Sequence, residues 1–230
     1  MKMTFLGSTA RSLSLFVALT GTMSAASILV DQDAWVQLGN PNANNNTATL
    51  IVKDANEGDT TRKAYLSFDL SGISGVIATA RLELTTSLND GSSSKSIDLV
   101  APNDLSTLVD ETTLTWNNAP NNNLANNGLS AFTSLVDNQS VANGAINQTV
   151  TLEGVALVDY LNNELSSGDG TALFILRRDG DNSGDNLSFH SGEAGTEAYR
   201  PVLVYTLVPE PSSALLLGGL AMILGFARRR

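Results

Sequence analysis

The sequence contains no cysteine and only one histidine, His190. Disulfides, thiolate metal sites and cysteine nucleophiles are therefore excluded, as is a zinc centre built on several imidazoles. Charged residues make up only 16% of the chain and prolines number 6, so it is neither a charge-rich disordered polymer nor collagen-like. Bases are scarce: 13 Lys and Arg stand against 23 Asp and Glu, a net charge of −10 at pH 7. That balance repels phosphate backbones and speaks against nucleic acid as a partner. What the chain does have is 230 residues, 42% of them hydrophobic, which is enough to bury a core.

Apolar runs mark both ends of the chain. Lys2 and Arg11 supply a positive start, Leu13 to Leu19 an apolar run, and Ser24-Ala25-Ala26 a small-residue cleavage site, so residues 1–26 read as a secretory signal cut between Ala26 and Ser27. At the other end, Pro209-Glu210-Pro211 precedes the apolar stretch Ser213 to Ala227 and the basic terminus Arg228-Arg229-Arg230. A helix over that stretch is about 22 Å long, short of the ~30 Å hydrocarbon core, and its arginines hold the terminus on the cytoplasmic side. The tripartite end over residues 209–230 resembles the PEP-CTERM sorting signal. The resemblance implies a transient stay in the inner membrane of a Gram-negative bacterium and processing by an exosortase-type enzyme. The product would then be delivered to the cell surface or the extracellular matrix.

Setting both ends aside leaves residues 27–208. Five of the bases fall in the ends but only one acid, Glu210, so this segment carries 22 acids against 8 bases, a net −14. Period-2 alternation recurs along it. Strands are expected at Ala34 to Leu38, Thr49 to Lys53, Ala64 to Asp69, Ala80 to Thr85, Ser96 to Val100, Thr112 to Trp116, Gln148 to Leu152, Ala172 to Arg177, Leu187 to His190 and Pro201 to Leu207. Turn clusters separate them at Gly39 to Asn46, Asn89 to Ser94, Asn117 to Gly128 and Asp179 to Asn186. Only Gly154 to Leu165 changes period: Val155, Val158, Leu161 and Leu165 mark an amphipathic helix. The pattern predicts one all-β domain, a two-sheet antiparallel sandwich of jelly-roll type with one short helix, flanked by the signal and sorting helices.

Three stretches resemble the DNRLRE domain: Tyr65 to Ser71 with Ala78 to Leu84, then Glu111 to Pro120 with its Thr-Trp-Asn-Asn-x-Pro pattern, then Phe189 to Ala194 with Arg200 to Tyr205. The resemblance implies a β-sandwich akin to carbohydrate-binding modules of secreted polysaccharide-active enzymes, some of which bind alginate. The hexapeptide that names the family is absent here. Ser67 and Gly192 stand where the family often carries arginine, which removes two cations that would meet an anionic sugar.

Candidate sites follow from chemistry. Trp116, Tyr65 and Trp35 could offer flat faces to sugar C–H groups, with Asn117 and Asn118 bonding hydroxyls. The competing reading makes Trp116 core and the asparagines turn formers. Asp179, Asp181, Ser183 and Asp185 space oxygen ligands on alternate residues, with Gly184 sixth, as a calcium loop opens. The match stops at the twelfth place, His190, where a bidentate Glu belongs, and a polar hairpin loop is the alternative. Asp31 and Asp33 form a second calcium candidate. His190 has no Gly-x-Ser-x-Gly elbow to serve, and acid pairs such as Asp110 and Glu111 would hydrolyse a glycoside only at a defined separation. The asparagine runs Asn42 to Asn46 and Asn117 to Asn127 read as surface loops, for ligand contact or as spacers.

The expectation is a non-catalytic, surface-sorted protein that binds or organises extracellular polysaccharide, hydroxyl-rich rather than polyanionic given the −14. A purely structural matrix protein is the alternative, and a polysaccharide lyase or hydrolase a third.

Overall fold

The computed structural model describes residues 24–54, 58–91, 93–126, 128–178 and 185–209. The expected signal and sorting helices, and all of the Asp179 loop except Asp185, lie outside them. Among these described residues eleven strands and one α-helix follow in chain order: β1 (Ala25–Leu29), β2 (Gln32–Gln37), β3 (Thr49–Val52), β4 (Arg62–Asp69), β5 (Ile77–Asn89), β6 (Lys95–Pro102), β7 (Phe132–Val141), β8 (Thr149–Glu153), α1 (Val155–Ser167), β9 (Thr171–Arg177), β10 (Leu187–His190) and β11 (Val202–Leu207). All strand pairs are antiparallel. One sheet runs β1-β11-β5-β10-β3, with β8 also paired to β5, and the other runs β2-β4-β9-β6-β7.

The period-2 pattern sets the faces. In β4, Ala64, Leu66 and Phe68 turn into the inter-sheet core with Leu82, Leu84, Leu99, Phe174, Phe189 and Leu203. The intervening Tyr65 turns the other way and enters a second, smaller core with Ala34, Val36, Val100, Leu114, Trp116, Leu173 and Ile175. The five-stranded sheet is thus buried on both faces, one by the other sheet and one by a roof made from the connection between β6 and β7. Helix α1 packs against β5, β7 and β9, burying Leu157, Tyr160, Leu161 and Glu164 on one stripe.

β10 pairs residues 86–89 of β5 while β11 pairs residues 77–83 of the same strand. β8 holds the opposite side of β5, through residues 81–85 and the Thr86 N–H to Gln148 O bond. β10 and β11 are therefore two halves of one strand, and residues 191–201 are an excursion thrown out between them. Beside that gap the chain leaves β1 and crosses to the other sheet. Val30 N–H donates to Pro201 O and Asp31 N–H to Ser67 O, and the chain then enters β2 at the sheet edge.

Three expectations change. Thr112 to Trp116 is not a strand: Leu114 N–H donates to Asp110 O and Ala119 N–H to Thr115 O, so the segment is wound into turns. Its apolar residues alternate because Leu114 and Trp116 point into the roof's core, not because it joins a ladder. β7 was not expected, since only Leu135 and Val141 of its ten residues are buried and its pairing with β6 is bulged. β1 was not expected either: it is a short strand, Ala25–Leu29, paired with β11.

Candidate functional site

The roof is a hydrogen-bonded framework of asparagine. Asn118 Oδ1 accepts from Thr115 N–H (2.6 Å) and its amide donates to Thr113 O. Asn122 donates to Trp116 O, and Asn121, at φ 57°, donates to Ser130 O and Ala131 O. Asn44 reaches across from the β2–β3 connection to Glu111 O and Leu114 O, and Asn117 donates to Asn42 Oδ1. The amides of Asn44, Asn118, Asn121 and Asn122 thus satisfy the main chain of turns that have no sheet to bond to.

Beneath this framework Trp116 is 0% exposed, with its indole N–H on Leu124 O at 3.2 Å. Lys63 lies across its ring, donating to Asn122 Oδ1 (2.7 Å) and Gly128 O (2.8 Å). Tyr65 is equally buried and donates to Pro120 O. Neither ring presents a face to solvent, and the turn-and-core reading of Trp116, Asn117 and Asn118 describes what is observed.

Trp35 is different. It is half-buried on edge strand β2, opposite Ala64 and on the face it shares with Asp33 and Gln37. The Arg62 guanidinium lies 5.0 Å from its ring centroid. Arg62 is held there by Gln37 Oε1 (3.1 Å) and Asn186 Oδ1 (2.8 Å), and the Trp35 N–H donates to Thr47 Oγ1. Burial lowers the Arg62 pKa from its usual value, yet a guanidinium stays charged. This corner belongs to an end of the sandwich where Lys53, Arg62, Lys63, Lys95, Arg177 and Arg178 gather, as the pairing of residues 53 with 62, 64 with 176 and 98 with 177 requires. Acids are interleaved there: Arg177 meets Asp98 at 3.5 Å and Lys95 meets Asp185 at 3.9 Å. Asp185, expected as a calcium ligand, thus faces an ammonium. Asp179, Asp181 and Ser183 lie outside the described residues.

A third constellation was only half visible in the sequence. Asp33, on β2, points inward and is 1% exposed. Carboxylate oxygens of Asp33, half-buried Glu111 and exposed Glu193 lie within 4.8 Å of one another. Gly192 N–H donates to Asp33 Oδ2 at 2.8 Å, Asp33 N–H to Glu111 Oε2 at 2.9 Å, and Glu111 N–H to Gln32 Oε1. A Cβ at residue 192 would lie 3.1 Å from Val30, so glycine permits this approach. Burial pushes the Asp33 carboxyl up to about 8. The Gly192 N–H opposes the rise, and the neighbouring Glu193 and Glu111 add to it. Asp31, the other acid of the N-terminal pair, is exposed and is not one of the three. Glu111 and Glu193 carry no local signal, because they stand 78 and 160 positions from Asp33 and only the tertiary fold joins them.

His190 stacks on Tyr199 with ring centroids 4.8 Å apart, and its Nε2 lies 3.0 Å from Asn147 Oδ1. Burial lowers its pKa. Between α1 and the roof's edge lies a cleft of about 450 Å³ lined by Asn103, Leu105, Asp159 and Asn163 among others. Among the described residues no helix is long and apolar enough to cross a membrane.

Residues 24–206 match the sequence profile of carbohydrate-binding module family 96, and residues 207–230 match the PEP-CTERM protein-sorting motif. No curated protein matches the chain.

Proposed function

We propose that this chain, which belongs to carbohydrate-binding module family 96, binds extracellular polysaccharide at the corner formed by Trp35, Gln37 and Arg62. The supporting observation is the pairing of a half-buried indole with a guanidinium 5.0 Å above it, at a sheet edge supplied with amide groups. An aromatic surface packs against sugar C–H groups while guanidinium and amide donors meet hydroxyls. The ligand is hydroxyl-rich rather than polyanionic: the segment between the two ends carries −14, and the nearby cations already face Asp98 and Asp185. Its role is binding without turnover.

The PEP-CTERM motif marks the chain for export and surface sorting. In this reading, a signal cut after Ala26 releases residues 27–208 as the working domain. The stretch Ser213 to Ala227 parks the precursor in the inner membrane of a Gram-negative cell until an exosortase-type enzyme acts near Pro209-Glu210-Pro211. The product then joins the cell surface or matrix.

The test is saturable binding of the purified chain to a panel of matrix polysaccharides, neutral and anionic. Trp35→Ala and Arg62→Ala are expected to lose binding while retaining the wild-type melting point within a few degrees. Binding that survives both substitutions but fails on Asn163→Ala would move the site to the cleft beside α1. No binding anywhere, with concentration-dependent self-assembly, would favour a structural matrix protein.

A further inference from the structure

We infer that Asp33, Glu111 and Glu193 form a site for a divalent cation of the calcium class. Two independent observations support it. Three carboxylates converge within 4.8 Å, and none of them takes part in an ion pair with Lys or Arg among the described residues. In addition, Asp33 is 99% buried, and while its Oδ2 accepts the Gly192 N–H, its Oδ1 has no hydrogen-bond partner. A buried carboxylate oxygen without a donor is costly, and a metal ion is one of the few ligands that repays that cost.

The donor set is all oxygen and all anionic, which selects a hard cation over zinc or copper. Oxygens within 4.8 Å of one another can share one ion, since ligands at ~2.3–2.6 Å on opposite sides of a calcium ion are about 5 Å apart. Burial is graded from Asp33 inside to Glu193 at the surface, giving an ion an entry path, and the exposed side leaves room for the waters that complete six to eight ligands.

Each ligand comes from a different part of the fold. Asp33 lies just after the chain crosses between sheets, Glu193 on the excursion that interrupts the β10–β11 strand, and Glu111 on the roof that covers Trp116. A bound ion would therefore fasten the roof and the excursion to strand β2, two residues from Trp35. The site shares no residue with the Asp179 to Asp185 segment, and it stands whether or not Trp35 contacts sugar.

The full chain, stripped with EDTA, is titrated with CaCl2 by calorimetry, with MgCl2 in parallel, and its melting temperature is followed. One saturable calcium site is expected, with a rise in melting temperature that EDTA reverses. Glu193→Gln alters an exposed side chain and leaves the fold of the stripped protein intact. It is expected to weaken calcium binding by about tenfold or more through loss of one charged ligand. Asp179→Asn combined with Asp181→Asn is expected to leave the affinity unchanged. The inference is overturned by an absence of saturable uptake, which would mean that the carboxyls share a proton instead. It is equally overturned if calcium binding persists undiminished in Glu193→Gln, or is abolished by the loop substitutions.

Discussion

The Lys63 ammonium nitrogen lies 4.6 Å from the centroid of the Trp116 ring, and both side chains are fully buried. A cation over an indole face is favourable when desolvated, and two oxygen acceptors complete its coordination. The most distinctive residue of the Thr-Trp-Asn-Asn-x-Pro segment takes no part in a surface because the roof buries it completely, and the lysine fills one ring face within that core.

That lysine predicts a pH dependence of stability. Burial, with repulsion from Arg177 added, lowers its pKa to about 7, whereas an unfolded lysine titrates near ~10.4. Between these values the unfolded chain binds the extra proton, so stability from this group rises as pH climbs from about 7 toward 10. Urea denaturation at pH 7, 8.5 and 9.5 should show the rise in the wild type and a flatter profile in Lys63→Met. Parallel profiles would show that Lys63 titrates normally.

Trp116→Ala removes a fully buried indole from the smaller core and is expected to cost about 3–5 kcal/mol. Trp116→Phe keeps most of the volume but leaves Leu124 O without its donor, for about 1–3 kcal/mol. Chemical denaturation measures both. Polysaccharide binding by folded Trp116→Phe should equal that of the wild type.

Tyr160 on α1 bridges the main chain of β9: its hydroxyl donates to Leu173 O at 3.1 Å and accepts from Leu173 N–H at 3.0 Å. Tyr160→Phe leaves both groups unpaired in a buried site, at an expected cost of about 1–3 kcal/mol. The ring itself still packs against Phe174, with centroids 5.7 Å apart. A neutral outcome would mean that the helix tie depends on packing alone.

Glu164 sits on the same buried stripe, and burial raises its carboxyl to about 7, with Asp169 adding to the rise and the Tyr160 hydroxyl opposing it. The folded state then holds a proton that the unfolded state releases near ~4.3. This group's contribution is complete at acid pH and is lost as pH rises through 7. Glu164→Gln should abolish that decline, seen as a smaller drop in melting temperature between pH 5 and 8.

The positions of most strands were legible from alternation, because a half-buried sheet forces apolar residues to every second place. The helix was legible by its change of period. β7 was not, because a bulged edge strand with two buried residues has no alternation to show. The segment around Trp116 misled for the opposite reason. Its burial alternates, but the alternation arises from turns folded over a second core.

Sequence alone determined the class of the protein. Its alternating pattern marks a two-sheet β protein and its last residues match a sorting motif, since alternation and a short motif are both local properties. Tertiary structure decided which residues are available for function. Trp116 and Trp35 are chemically the same side chain, and only the roof closes one while the sheet edge leaves the other half open. Asp33, Glu111 and Glu193 are ordinary acids in the chain. Crossing between sheets, interrupting a strand and laying a roof bring them together, and no local pattern records contacts between residues so far apart.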